Sequence, residues 1–184
     1  MLVLTKTRLL CYPKAASRWL TQVMREACAV TYDSGEKDSA AYHARLSDPL
    51  GSELPSIAVV RHPLAWYGSY WNHRMRHGWT KDHTIDRGEH TSFEAFLESV
   101  VDEYPGWLSK YARQWVGKPR DGVIVARYEN VRDEVLSILR ALGEPVDEEK
   151  WDSVPVVNFS DYKRFPVDVP NELKERVLAS EAEF

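Results

Sequence analysis

Residues 56–63 read "SIAVVRHP". Ile57 to Val60 form an unbroken apolar run, the mark of a strand covered on both faces in a parallel sheet. Pro63 suits the first turn of a following helix over Leu64–Met75. This strand-then-helix unit sets the class of the fold, and the flanking sequence repeats it. Upstream, "RLLCY" (8–12) reads as a buried strand that Pro13 ends. Residues 17–29 then carry Trp19, Leu20, Val23, Met24 and Ala27 at helical spacing. Downstream, "DGVIVARYENV" (121–131) is a turn and a third apolar strand over 123–127. "VRDEVLSILRALG" (131–143) follows as an amphipathic helix closed by Gly143.

The remaining segments fill in around these units. "AVTYDS" (29–34) is expected to form a short strand, and residues 33–39 a polar loop. "SAAYHARL" (39–46) fits either a strand ending near His43 or a helical turn. Residues 76–90, rich in His, Gly, Asp and Thr, read as an exposed, mobile excursion. "TSFEAFLESVV" (91–101), "YPGWLSKYARQWV" (104–116), "DEEKWDSV" (147–154) and "NELKERVLASEAEF" (171–184) read as helices. "PVVNFSDYKRFPVDVP" (155–170) reads as irregular. Strands alternating with helices imply one α/β domain over residues 1–184 with a mostly parallel sheet.

Bulk properties narrow the function. The 184 residues suffice for one domain with a real core. A net charge of −4 argues against a broad nucleic-acid surface. No apolar window reaches membrane-spanning length, and the start has no leader-like run. Cys11 and Cys28 are expected to be free thiols in a reducing compartment, so the chain reads as cytoplasmic. Seven Trp are expected mostly in the core. No His/Cys/Asp spacing argues for a metal.

In a parallel sheet, ligands bind at the carboxyl ends of the strands. Lys14 follows the first strand, Arg61 the central one, and Arg127–Tyr128 the late one. In "CYPKAASRWL" (11–20) small residues at 15–17 let backbone N–H groups approach an anion, and the helix that follows aims its N-terminus there. Ser17 adds a hydroxyl and Lys14 a mobile charge. The same residues also describe an ordinary strand-to-helix turn with an exposed lysine. The loop is not a Walker A motif, G-x-x-x-x-G-K-S/T, because Lys14 precedes the turn. An ATP-dependent P-loop kinase is therefore disfavoured. Arg61 and Ser69, eight residues on, could hold a second phosphate together.

Taken together these segments resemble the sulfotransferases that use 3′-phosphoadenosine 5′-phosphosulfate (PAPS). That family carries a loop of Tyr-Pro-Lys, hydroxyl residues around a glycine, and Trp; here it reads Tyr12-Pro13-Lys14-Ala15-Ala16-Ser17-Arg18-Trp19. It carries Arg, Asn or Asp, then Pro, with a serine eight residues after the arginine; here Arg61-His62-Pro63 and Ser69. Its late Tyr-Glu-Asp segment resembles Arg127-Tyr128-Glu129-Asn130-Val131. The likeness spans about residues 8–143.

The resemblance implies a three-layer α/β/α, P-loop NTPase-like fold and metal-free transfer of a sulfuryl group from PAPS to a hydroxyl or amine. It implies that Lys14 contacts the 5′-phosphate and bridging oxygen, while backbone N–H groups of Ala15, Ala16, Ser17 and Arg18 cradle the phosphosulfate. Trp19 would pack on the adenine, Arg61 and Ser69 would bind the 3′-phosphate, and Tyr128 would lie near the adenine. His43 is the positional match for the catalytic base; Glu36 and Glu53 stand for relatives with a carboxylate base. His62 would orient the loop, and His73 and His77 could touch an acceptor. Ala16 and Arg18 depart from the family's glycine and hydroxyl residue, and Lys163–Arg164 stand loosely for its C-terminal Arg-Lys-Gly. A degenerate relative that holds the nucleotide without turnover is the other reading of those departures. The implied acceptor is a small molecule or carbohydrate rather than a nucleic acid or a membrane. Residues 76–90 and 155–168 are expected to shape its pocket. The chain is short for the family, so that pocket is open or completed by a second copy in a homodimer.

Overall fold

A computed structural model describes residues 1–35, 43, 45–80, 84–86, 90–118, 121–155 and 167–182. The strands are β1 (Leu2–Val3), β2 (Arg8–Leu10), β3 (Tyr32–Asp33), β4 (Ser56–Val60) and β5 (Val123–Arg127). The helices are α1 (Ser17–Ala27), α2 (Pro63–His77), α3 (Phe93–Glu103), α4 (Trp107–Val116), α5 (Val131–Ala141), α6 (Glu148–Ser153) and α7 (Asn171–Ser180). The chain divides into two compact units, Met1–Arg61 with Ala112–Phe159, and His62–Tyr111 with Ser160–Phe184.

The first unit holds a five-stranded mixed sheet in the order β3-β1-β2-β4-β5. β2, β4 and β5 are parallel, with Leu9 opposite Ile57 and Ile57 opposite Ile124. Ile57 and Ala58 are fully buried and Val59 nearly so, as the unbroken apolar run requires. β5 is one of the two edge strands, and Val125 on it is 45% exposed. β1, which no sequence pattern announces, runs antiparallel to both β2 and β3. Its turn into β2 is closed by the Leu4 N–H to Thr7 carbonyl bond. The Glu144 carboxylate holds the same turn, accepting the N–H groups of Thr5 and Lys6.

α1 buries Trp19, Leu20, Val23, Met24 and Ala27, the face its spacing predicts. Trp19 meets Trp151 of α6 edge-on, with ring centroids 6.0 Å apart. α5 buries Val131, Val135 and Leu139 and ends before Gly143, whose φ of 66° gives the left-handed exit expected there. Arg8 is buried at the start of β2. Its guanidinium donates to Ser56 Oγ and to the carbonyls of Leu46, Asp48 and Leu50.

The second unit packs aromatic side chains of α2 and α3, with Trp66, Tyr67, Tyr70, Trp71, Phe93 and Phe96 all buried. Ser92 caps α3 by accepting the Ala95 N–H. One expectation is corrected here. Part of the 76–90 segment is not an exposed excursion: Thr84–Asp86 forms a 3-10 turn with Ile85 and Asp86 buried. Asp86 accepts from Tyr70 Oη, from the Arg74 guanidinium and from Thr80 Oγ1. A buried ion pair with hydrogen bonds on both carboxylate oxygens takes a polar segment out of water.

Among the described residues, no helix is long and apolar enough to cross a membrane. Cys11 and Cys28 are free. Burial pushes the Cys28 thiol up to about 12 and the Cys11 thiol upward too, so neither offers a ready thiolate.

Candidate functional site

Because β2, β4 and β5 are neighbouring parallel strands, their carboxyl ends lie along one edge of the sheet. From that edge rise the 11–16 loop, Arg61 and Tyr128. The loop is built by backbone conformation. Tyr12 N–H returns to the Leu10 carbonyl, and Ala15 N–H to that of Tyr12. Lys14 has φ 64° and Ala16 has φ 58°, ψ 13°. Two left-handed residues in three, neither of them glycine, store backbone strain. Ala16 stands where the resembled family has glycine, and its backbone adopts the conformation for which glycine is suited.

Ala16 is also the N-cap of α1. It offers no side-chain bond, and the first turn of α1 contains no acidic residue. The N–H groups of Ser17, Arg18 and Trp19 precede the first intrahelical bond, which Leu20 N–H makes to Ala16. Their positive end meets Lys14, half-buried in the loop, and Arg18, exposed on the first turn. Trp19 is 2% exposed and packed on Trp151, so its ring sits in the core beneath the loop and not on an open face.

Arg61 links the three strand ends. Its Nη1 donates to the Lys14 carbonyl at 3.3 Å, and its guanidinium carbon lies 4.2 Å from the centroid of the Tyr128 ring. Tyr128 opens a 3-10 turn, Tyr128–Asn130, that leads into α5. Arg127, one residue earlier, is exposed and pairs with Glu134, which also accepts its backbone N–H.

His43 joins this edge through Nδ1, 2.7 Å from the Cys11 carbonyl. A carbonyl only accepts, so Nδ1 carries the proton, and in the neutral ring the lone pair is on Nε2. Burial holds the imidazole below its ordinary pKa. The Cys11 bond opposes this, while the charges of the N-terminus, Lys14 and Arg18 add to it. The ring is therefore neutral at neutral pH, as a general base must be. Glu53, the carboxylate alternative, is exposed and precedes β4, at the opposite edge of the sheet from the loop. Glu36 lies outside the described residues, as do Lys163 and Arg164.

Ser69, His62, His73 and His77 belong to the second unit. Ser69 is half-buried on α2, and His62 is its exposed N-cap. His73 and His77 sit one turn apart on α2 with ring centroids 4.5 Å apart. Among the described residues, no group of three or more His, Cys, Asp or Glu side chains could hold a metal ion.

Three features here had not been expected from the sequence. The glycine in the family's loop hinted at the left-handed turn at Ala16. Nothing in the letters marked the same conformation at Lys14, the carbonyl that orients His43, or the ring under Arg61. No protein-family model matches the chain, and no curated protein matches it.

Proposed function

We propose that the chain is a PAPS-dependent sulfotransferase whose donor site is the Lys14–Arg61–Tyr128 edge. The observation that carries the reading is the convergence at one sheet edge of a left-handed loop, a helix N-terminus without an acid in its first turn, and Arg61 bonded back to Lys14. These are the groups a phosphosulfate and a second phosphate require: backbone N–H donors, a point charge and a planar fork. Ala16 already has the glycine-like backbone of the family's loop, which favours a working site over a disabled one. The finer architecture, a three-layer α/β/α P-loop NTPase-like arrangement, belongs to the same reading.

When bound, the donor supplies a sulfuryl group that passes in line to the acceptor oxygen as the bridging S–O bond breaks. The N–H groups of Ser17 and Arg18 hold the phosphosulfate oxygens in position. Lys14 stabilises the charge left on the 5′-phosphate. His43 Nε2 takes the proton of the acceptor hydroxyl, and the Cys11 carbonyl fixes the tautomer that allows it. Positioning and electrostatics carry the rate, as in phosphoryl transfer.

Calorimetry with adenosine 3′,5′-bisphosphate tests the reading. Wild type binds, and Lys14→Ala and Arg61→Ala each weaken binding at least about tenfold, the scale of one lost charge-assisted bond. No binding to wild type at high micromolar nucleotide overturns it. Magnesium-dependent ATP binding that outcompetes the bisphosphate would favour the kinase reading instead.

A further inference from the structure

The ring of Tyr128 has a specific neighbour. The Arg61 guanidinium lies over it at 4.2 Å, well inside the ~6 Å at which a cation and an aromatic face attract. Arg61 is half-buried, so that attraction is less screened than at an open surface. Stacking uses the flat face of a guanidinium and none of its N–H donors, which all point outward in the plane. One of them reaches the Lys14 carbonyl. Arg61 thus has a contact from the end of each neighbouring parallel strand, the Lys14 carbonyl and the Tyr128 ring.

Tyr128 is well placed to be the fixed partner. It follows the last residue of β5 and opens the 3-10 turn into α5, so its backbone is held from both sides. Arg127, its neighbour, is engaged by Glu134 through both side chain and backbone. The strand end therefore commits its cation to Glu134 and its ring to Arg61.

We propose that Tyr128 is a positioning residue for Arg61, fixing the guanidinium so that it selects a 3′,5′-bisphosphate over a 5′-monophosphate. This rests on the donor-site reading above. It gives Tyr128 a role other than lying against the adenine. An arginine already held against a ring loses less rotamer freedom when it meets a phosphate, so the ring raises affinity only for ligands with a 3′-phosphate.

The experiment is calorimetry on the full chain with adenosine 3′,5′-bisphosphate and adenosine 5′-phosphate. Tyr128→Leu is expected to weaken the bisphosphate about tenfold and to leave the 5′-monophosphate within about twofold. Tyr128→Phe, which keeps the aromatic face, is expected to restore the wild-type ratio. Tyr128→Gln should repeat the Tyr128→Leu pattern. The 5′-monophosphate reports on the loop of the same variant, so a disordered edge shows as equal loss for both ligands. Equal loss, or an unchanged ratio in both Tyr128→Leu and Tyr128→Gln, overturns the inference while the donor site stands. Wild type that binds neither nucleotide overturns the donor site and the inference with it.

Discussion

The N-termini of α1 and α4 are built from the same physics and finished differently. Both start a helix whose first N–H groups lack intrahelical acceptors. At α4 the chain supplies its own anion. The Glu181 carboxylate, 2% exposed, accepts the N–H groups of Leu108 and Ser109, the Ser109 hydroxyl and the Tyr67 hydroxyl. The β1–β2 turn is finished the same way, by Glu144. At α1 the cap is Ala16, with no side-chain bond and no acid in the first turn, and the nearby charges of Lys14 and Arg18 are positive. Where the chain needs an anion for its own stability it carries one in the sequence. Under the proposed function, the end of α1 receives an anion that comes from outside.

The widest gap between the two ends should appear on removing the internal anion. Glu181→Ala leaves buried donors from Tyr67, Leu108 and Ser109 without their acceptor, and is expected to lower stability by about 3 kcal/mol. Chemical denaturation reads this directly. Glu181→Gln keeps the shape and one carbonyl acceptor and should lose less. If Glu181→Ala is as stable as wild type, the carboxylate is not finishing α4 and the contrast with α1 fails.

The next test gives α1 the anion that α4 already has. Ser17→Asp places a carboxylate in its first turn. It should stabilise the fold by about 0.5 kcal/mol through the helix dipole. The same change should weaken adenosine 3′,5′-bisphosphate at least about tenfold, because it adds like charge where the proposed function places a phosphate. A gain in stability with a loss of binding is the expected signature. A Ser17→Asp protein that binds the bisphosphate as well as wild type would place the anion elsewhere.

How far the letters reached follows the same division between side chain and backbone. The run Ile57–Val60 announced β4 because a strand covered on both faces must be apolar throughout. The carboxyl ends carrying Lys14, Arg61 and Tyr128 followed from the alternation of strands and helices, which implies parallel strands. β1 stayed hidden because two residues make no periodicity, and its turn is held by Glu144, far along the chain. The burial of Ile85 and Asp86 was hidden for a related reason. A polar composition signals solvent, while the partners that make burial tolerable, Tyr70 and Arg74, lie on another element. At the site, the left-handed turn at Lys14 and the Cys11 carbonyl that orients His43 are backbone events, for which residue type carries little signal.

The loop strain gives a smaller effect. Ala16→Gly removes a Cβ from a residue at φ 58°. The left-handed penalty is relieved and the unfolded chain gains freedom, leaving a net stabilisation of roughly 0.5–1 kcal/mol. Bisphosphate affinity should hold or improve, since the backbone is already shaped for glycine. A destabilised Ala16→Gly would mean that the alanine methyl contributes packing that outweighs the strain.

The smallest expected effect lies in the titration of His43. Its folded pKa is depressed, by burial first and by Lys14 and Arg18 in part, so the unfolded chain takes up the proton at higher pH than the folded one. This site therefore lowers stability as pH falls below about 6.5 and stops doing so once the folded imidazole is itself protonated. A transfer rate that uses Nε2 as base should rise with pH through that depressed pKa and stay flat above it, and His43→Asn should remove the rising limb. An anion received at the end of α1 offsets the charges of Lys14 and Arg18. The bisphosphate should accordingly move the His43 pKa upward, a shift that NMR of the imidazole can follow. A His43 pKa that stays put with the bisphosphate bound would mean that the anion sits out of reach of this ring, and the α1 terminus would lose its claim to be the end left for an external anion.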